Sequence, residues 1–175
     1  MKKILIFTSI AMCYFALMGC ASADKMVYKP QTIVQPKDHQ LSQGITVGQV
    51  TIDKEAHQVV MSDVTPDDLK VTLKRSLRES NLYNESAKNK YVLNAAFKKM
   101  VQPLFGADLK VSCNVHYSLV DSRTNDLLYD KDVTSYYTAK FSDAFVGMER
   151  LKLANEGAVK ANIEMLINDL EKLPA

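Results

Sequence analysis

Hydrophobic positions along this chain follow two rhythms, and each predicts a different element. Leu109, Val111, Cys113, Val115, Tyr117 and Leu119 alternate with Lys110, Ser112, Asn114, His116 and Ser118. A period of two sustained over that length predicts a half-buried strand. A polar turn, Asp121-Ser122-Arg123-Thr124-Asn125-Asp126, then leads into Leu127 to Phe141, rich in Tyr, Thr and Val. The two runs predict a long antiparallel hairpin whose arms exceed the usual strand length of about 5–6 residues. Tyr91, Leu93, Ala95 and Phe97 alternate in the same way and predict a strand that ends before Pro103. Ile45 to Ile52 is β-branched and alternating, and predicts a short first strand.

The second rhythm is helical. Leu69, Leu73 and Leu77 recur every four residues behind Val64-Thr65-Pro66-Asp67-Asp68. In that start Thr65 is the N-cap, Pro66 takes the first helical position and Asp68 completes a capping-box pair. Val64 and Leu69 fill the hydrophobic-staple positions, and Asn81 is a left-handed stop. A longer helix is predicted from about Ser142 to Leu173. There Ala154, Ala158, Ala161, Met148, Leu151, Val159, Ile163, Met165, Leu166 and Leu170 fall in one arc of roughly 200° at 100° per residue. The element order is β-α-β-β-β-α. It predicts a two-layer α+β sandwich with an antiparallel sheet, forming a single domain over residues 45–175.

The first twenty residues obey neither rhythm. Lys2 and Lys3 precede an apolar stretch from Ile4 to Met18 that closes on Leu17-Met18-Gly19-Cys20. A basic start, a short apolar core and small residues before a cleavage point make a secretory signal, too short for a spanning helix. The Leu-x-Gly-Cys ending resembles the bacterial lipobox. That resemblance implies removal of residues 1–19 and acylation of Cys20, whose thiolate takes the diacylglycerol. The covalent diacylglycerol and an acyl chain such as palmitate are then the only attached groups expected; no cofactor and no metal is. Ala21 stands where aspartate marks inner-membrane retention in enteric-type lipoproteins, so the resemblance implies the periplasmic face of the outer membrane. Residues 20–44 hold Pro30, Pro36, Gly44 and many polar residues without a period, and predict a polar tether. The alternative is that Tyr28, Ile33 and Val34 dock as a short edge strand.

Charge and cysteine count refine the picture. The chain carries 22 basic and 20 acidic side chains. Loss of Lys2 and Lys3 with the signal brings the two into balance, so no nucleic-acid partner is expected. Cys13 leaves with the signal and Cys20 is acylated. Cys113 is left as a lone thiol on the apolar face of its strand, expected to be buried.

No catalytic constellation emerges. His39, His57 and His116 lack metal-site spacing. Cys113 and His116 fall on opposite strand faces. There is no glycine-rich phosphate loop, no G-x-S-x-G elbow and no H-E-x-x-H motif. A non-enzymatic role is therefore expected. Two features remain as possible contact sites. Tyr136, Tyr137, Phe141 and Phe145 crowd a strand-to-helix junction, where the alternative is core closure with Ser142 as helix cap. Asn155, Asn162 and Ile163 fall in the apolar arc of the last helix, and buried amides must be hydrogen-bonded. They face either the sheet or a partner.

The lipobox, the polar segment and one small α+β domain together resemble the envelope-assembly lipoproteins of Gram-negative bacteria. That group includes lipopolysaccharide-assembly lipoproteins, auxiliary lipoproteins of lipid-transport systems and activators of peptidoglycan synthases. The resemblance implies a membrane-anchored, non-catalytic accessory or scaffold that binds another envelope protein. A small-ligand or lipid-binding module is the alternative, and an envelope enzyme such as an acyltransferase is the weakest reading. A side-chain-filled helix–sheet interface would favour the scaffold, and an apolar cavity of about 300 Å³ or more the ligand binder.

Overall fold

The alternation along the strands builds one layer, and the helical stripes supply the other. The computed structural model describes residues 22–31, 40–53, 64–86 and 90–173. Within these, α1 spans Ala23–Met26, β1 Ile45–Ile52, α2 Pro66–Glu79, β2 Tyr91–Val101, β3 Leu109–Asp121, β4 Leu127–Ala139 and α3 Gly147–Leu170. The strands form one sheet in the order β1-β2-β3-β4. The expected signal sequence, residues 1–19, and Cys20 lie outside the described residues.

The expected α+β sandwich is present. The long hairpin pairs Leu109 with Ala139 at one end and Val120 with Leu127 at the other, and β2 joins it antiparallel. One pairing differs from a fully antiparallel sheet. β1 runs parallel to β2, with Ile45 beside Tyr91 and Ile52 beside Phe97. Helix α2 lies between these strands in sequence and packs on β1. Such a crossover returns the chain to the end where it began, so the next strand runs in the same direction.

Helix α2 starts as its sequence requires. The Thr65 hydroxyl oxygen accepts the Asp68 amide at 3.1 Å, and the Asp68 carboxylate accepts the Thr65 amide at 3.1 Å. Asn81 takes the left-handed conformation at φ 56°, just beyond the helix. Val64, Leu69, Leu73 and Leu77 are all buried.

Helix α3 is shorter than its pattern predicts. It begins at Gly147, and Val146 in the N-cap position offers no side-chain bond. Ser142 is therefore not the cap; it sits in an exposed turn. The helix lies across β3 and β4, with Ala154, Ala158, Val159, Ile163, Leu166 and Leu170 buried. Opposite them stand Val111, Cys113, Val115, Tyr117 and Leu119, none of which reaches solvent. Each fully buried large aliphatic side chain of this kind contributes about 1.5–3 kcal/mol.

The start of the expected tether is instead part of the fold. Helix α1 sits between α2 and α3. Met26 is fully buried and Val27 nearly so. The Ser22 amide donates to Glu156 Oε1 at 2.8 Å, the Tyr28 amide to Ser76 Oγ at 3.0 Å, and Arg75 pairs with Asp24. Two helices on a four-stranded sheet leave a furrow between them, and this segment fills it. Tyr28 is half-buried there and pairs with no strand; Ile33 and Val34 lie outside the described residues.

Candidate functional site

The four aromatics at the β4–α3 junction do not form one patch. Tyr136 lies exposed on the sheet face that no helix covers, with Lys110 Nζ 4.9 Å from its ring centre. Strand alternation sends Tyr137 to the helix side, where its ring rests on Gly157. A Cβ at that glycine would come within 2.4 Å of the ring. Phe141 and Phe145 lie beyond the strand end and meet edge to face at 5.4 Å. The expected contact cluster is thus divided among three surfaces, because the strand's period of two separates neighbours.

The second set of candidates is buried. Asn162 is inaccessible: its amide donates to the Val133 carbonyl at 2.7 Å and to the Cys113 carbonyl at 3.1 Å, and its oxygen accepts the Tyr117 hydroxyl at 2.9 Å. Asn155 accepts from Gln102 at 2.9 Å. Ile163 is fully enclosed. These three residues face the sheet, so they offer no surface to a partner. The strand carbonyls draw the Asn162 amide inward and Gln102 holds Asn155. Much of the rest of the arc is closed by the sheet and by the N-terminal segment, but Met148 and Met165 stay exposed.

Phe141 and Phe145 belong to a larger assembly at the end of the domain where α3 begins. Arg150, itself buried, binds two loops together there. Its guanidinium donates to the Ala144 carbonyl at 2.6 Å and to the Gly106 carbonyl at 3.3 Å, and lies 5.1 Å from the Phe141 ring centre. The Phe141 amide donates to Asp108 Oδ1 at 3.0 Å. Around this clasp, Leu104 is 91 % exposed, Phe105 86 % and Phe145 78 %, with Val146 and Met148 more than half exposed. Leu104 and Phe105 were absent from the sequence-based candidates. Their signal was an apolar pair between Pro103 and Gly106, in a loop where polar residues are the rule.

The helix–sheet interface is filled by side chains, Phe97 and Tyr117 among the largest. Among the described residues, two depressions lie on outer surfaces instead. One, of about 370 Å³, opens on the bare sheet face beside Asp53, Lys98, Lys99 and Asn114. The other, of about 340 Å³, runs along α3 beside Lys25, Tyr137, Glu156 and Lys160. On the bare face His116 is held between Asp130, 3.0 Å from Nε2, and Asp132, 2.9 Å from Nδ1. It is therefore paired on both ring nitrogens, and the carboxylates approach from opposite sides, so they do not converge on one point. Cys113 lies on the other face, where burial pushes its thiol up to about 12. Among the described residues no His, Cys, Asp and Glu cluster is placed to hold a metal.

No protein-family model matches the chain, and the comparison with curated proteins gives no match. Solved structures are similar to this chain to differing degrees. A Xanthomonas campestris protein of family DUF330 is similar at a TM-score of 0.57, with 13% identity over 81% of this chain and 91% of that one. A minor lipoprotein from Acinetobacter baumannii gives a TM-score of 0.49, with 12% identity over 75% of this chain and 92% of that one. A protein from Caulobacter crescentus CB15 also gives 0.49, with 13% identity over 74% and 93%. At such identities the likeness to the Xanthomonas protein speaks for the fold alone.

Proposed function

We propose that this chain is a lipoprotein held at the periplasmic face of the outer membrane by acylated Cys20. In this reading it serves as a non-catalytic accessory or scaffold for another envelope protein, in envelope biogenesis or transport. The observation that carries the reading is Leu17-Met18-Gly19-Cys20 directly behind a basic, apolar signal. Two or more acyl chains give stable attachment, at about 0.8 kcal/mol per buried CH₂. The filled helix–sheet interface supports a scaffold over a ligand binder, which would need an enclosed apolar cavity.

The test is metabolic labelling with palmitate, followed by membrane fractionation and mild crosslinking. The native chain should take up label, sediment with outer membranes and crosslink to an envelope protein. The Cys20→Ser chain should keep its signal and take up none. Equal labelling of both chains would end the lipoprotein reading.

A further inference from the structure

The segment that follows Cys20 is seated on the domain in a direction that can be read residue by residue. Ser22 is bonded to Glu156 on α3, the Ala23 carbonyl accepts Thr72 on α2, and Tyr28 is bonded to Ser76 one turn further along α2. The chain therefore runs away from the end where both long helices begin. Read back from Tyr28 to Ser22, it approaches that end.

The distances are short. Glu156 lies eight residues, or about 12 Å along the helix axis, from Met148. Two residues separate Ser22 from Cys20, and an extended chain of two residues spans at most about 7 Å. The backbone thus covers a little over half of that distance, and an acyl chain on Cys20 is long enough to reach the apolar end formed by Leu104, Phe105, Phe141, Phe145, Val146 and Met148. That end is built, not frayed: Arg150 ties the Gly106 loop to the Ala144 loop from beneath. Large apolar side chains gathered on one exposed end commonly mark a contact surface. Here the anchor specifies the surface.

We infer that this apolar end lies in the bilayer that holds the acyl chains. Leu104, Phe105 and Phe145 enter the interfacial layer, and the domain stands on the membrane with its hairpin turn, Ser122–Asp126, pointing away. Interfacial apolar groups of this kind sink about 5–10 Å into the boundary between headgroups and acyl chains. The inference rests on acylation of Cys20, and it adds an orientation that acylation alone does not fix.

The chain contains no tryptophan, so a single introduced indole reports its own position. The full lipidated chain is prepared as three variants, Phe105→Trp, Phe145→Trp and Leu127→Trp, the last beside the hairpin turn. Each is reconstituted in phosphatidylethanolamine–phosphatidylglycerol vesicles with brominated acyl chains, and palmitate content is measured in the same preparations. Quenching should be several-fold stronger at positions 105 and 145 than at 127, with blue-shifted emission. Equal or weaker quenching at 105 and 145 in a palmitate-bearing chain would overturn the inference while leaving the anchor intact. Crosslinking of the unquenched end to an envelope protein would assign it to that partner instead. A chain without palmitate would overturn both the anchor and the orientation.

Discussion

Tyr117 on β3 and Asn162 on α3 are joined by a hydrogen bond of 2.9 Å in the middle of the buried helix–sheet interface. The same amide reaches carbonyls on two strands, so one side chain fixes the helix against both arms of the hairpin. Apolar packing alone would let the helix slide; three bonds with defined directions do not. Ser135 adds a fourth fastening, its hydroxyl donating to the Ala158 carbonyl at 2.7 Å.

Removing this knot exposes its worth. Tyr117→Phe leaves the Asn162 oxygen without its donor and should cost about 1–3 kcal/mol. Asn162→Leu strands the Tyr117 hydroxyl and withdraws a donor from two strand carbonyls, so it should cost more. Urea denaturation of both variants measures the difference. Native stability in the Asn162→Leu chain would show that the bonds add nothing to the packing.

Gly157 is required by contact rather than by backbone angle. Its replacement by Ala should destabilise the domain by about 1–3 kcal/mol through overpacking on the Tyr137 ring. The usual gain of about 1 kcal/mol for Ala over Gly in a helix offsets part of this. Adding Tyr137→Ser should recover most of the loss, which a double-mutant cycle reads directly.

The N-terminal segment offers a sharper contrast. Met26 is fully buried, so Met26→Ala should cost about 2–5 kcal/mol, as for other buried large-to-Ala changes. A free tether would tolerate the change without effect. Thermal melting of the chain from residue 20 onwards decides between them.

Cys113 should resist thiol reagents in the native domain. Its burial and raised pKa leave neither access nor thiolate at neutral pH. Denaturant should make it fully reactive. Rapid labelling under native conditions would mean that the faces of β3 are exchanged.

Acid should weaken one tie between sheet and helix. Lys131, donating at 2.7 Å, holds the Asp169 carboxyl below its ordinary range, helped by the Tyr129 hydroxyl at 3.0 Å. A carboxyl depressed in the folded state adds stability above its unfolded value of about 3.9 and loses it as pH falls through the folded value. The pair is partly exposed, so Asp169→Asn should cost less than about 1 kcal/mol at pH 7. The two melting temperatures should converge as pH falls through the folded value, and a gap that persists undiminished into acid would refute the assignment.

What the sequence determined by itself were features written into neighbouring residues. The Thr65–Asp68 capping box, the left-handed Asn81, the two-face alternation of β3 and the hairpin turn all depend on chain-local sterics and hydrogen bonds. The resemblance of Leu17-Met18-Gly19-Cys20 to a lipobox is likewise carried by a linear string, and palmitate labelling tests it. The tertiary structure decided whatever depends on what lies across a gap. The pattern of β1 is the same whether it pairs parallel or antiparallel; the α2 crossover sets the direction. Asn162 reads equally as an interface residue or a buried one until strand carbonyls are placed beside it. Met26 and Tyr28 carry no period, because a segment that fills a furrow between two helices matches their spacing rather than its own. The apolar end joins Leu104 and Phe105 to Phe145 and Met148, some forty residues away in sequence. Only the fold of the hairpin and the reach of Arg150 bring them together.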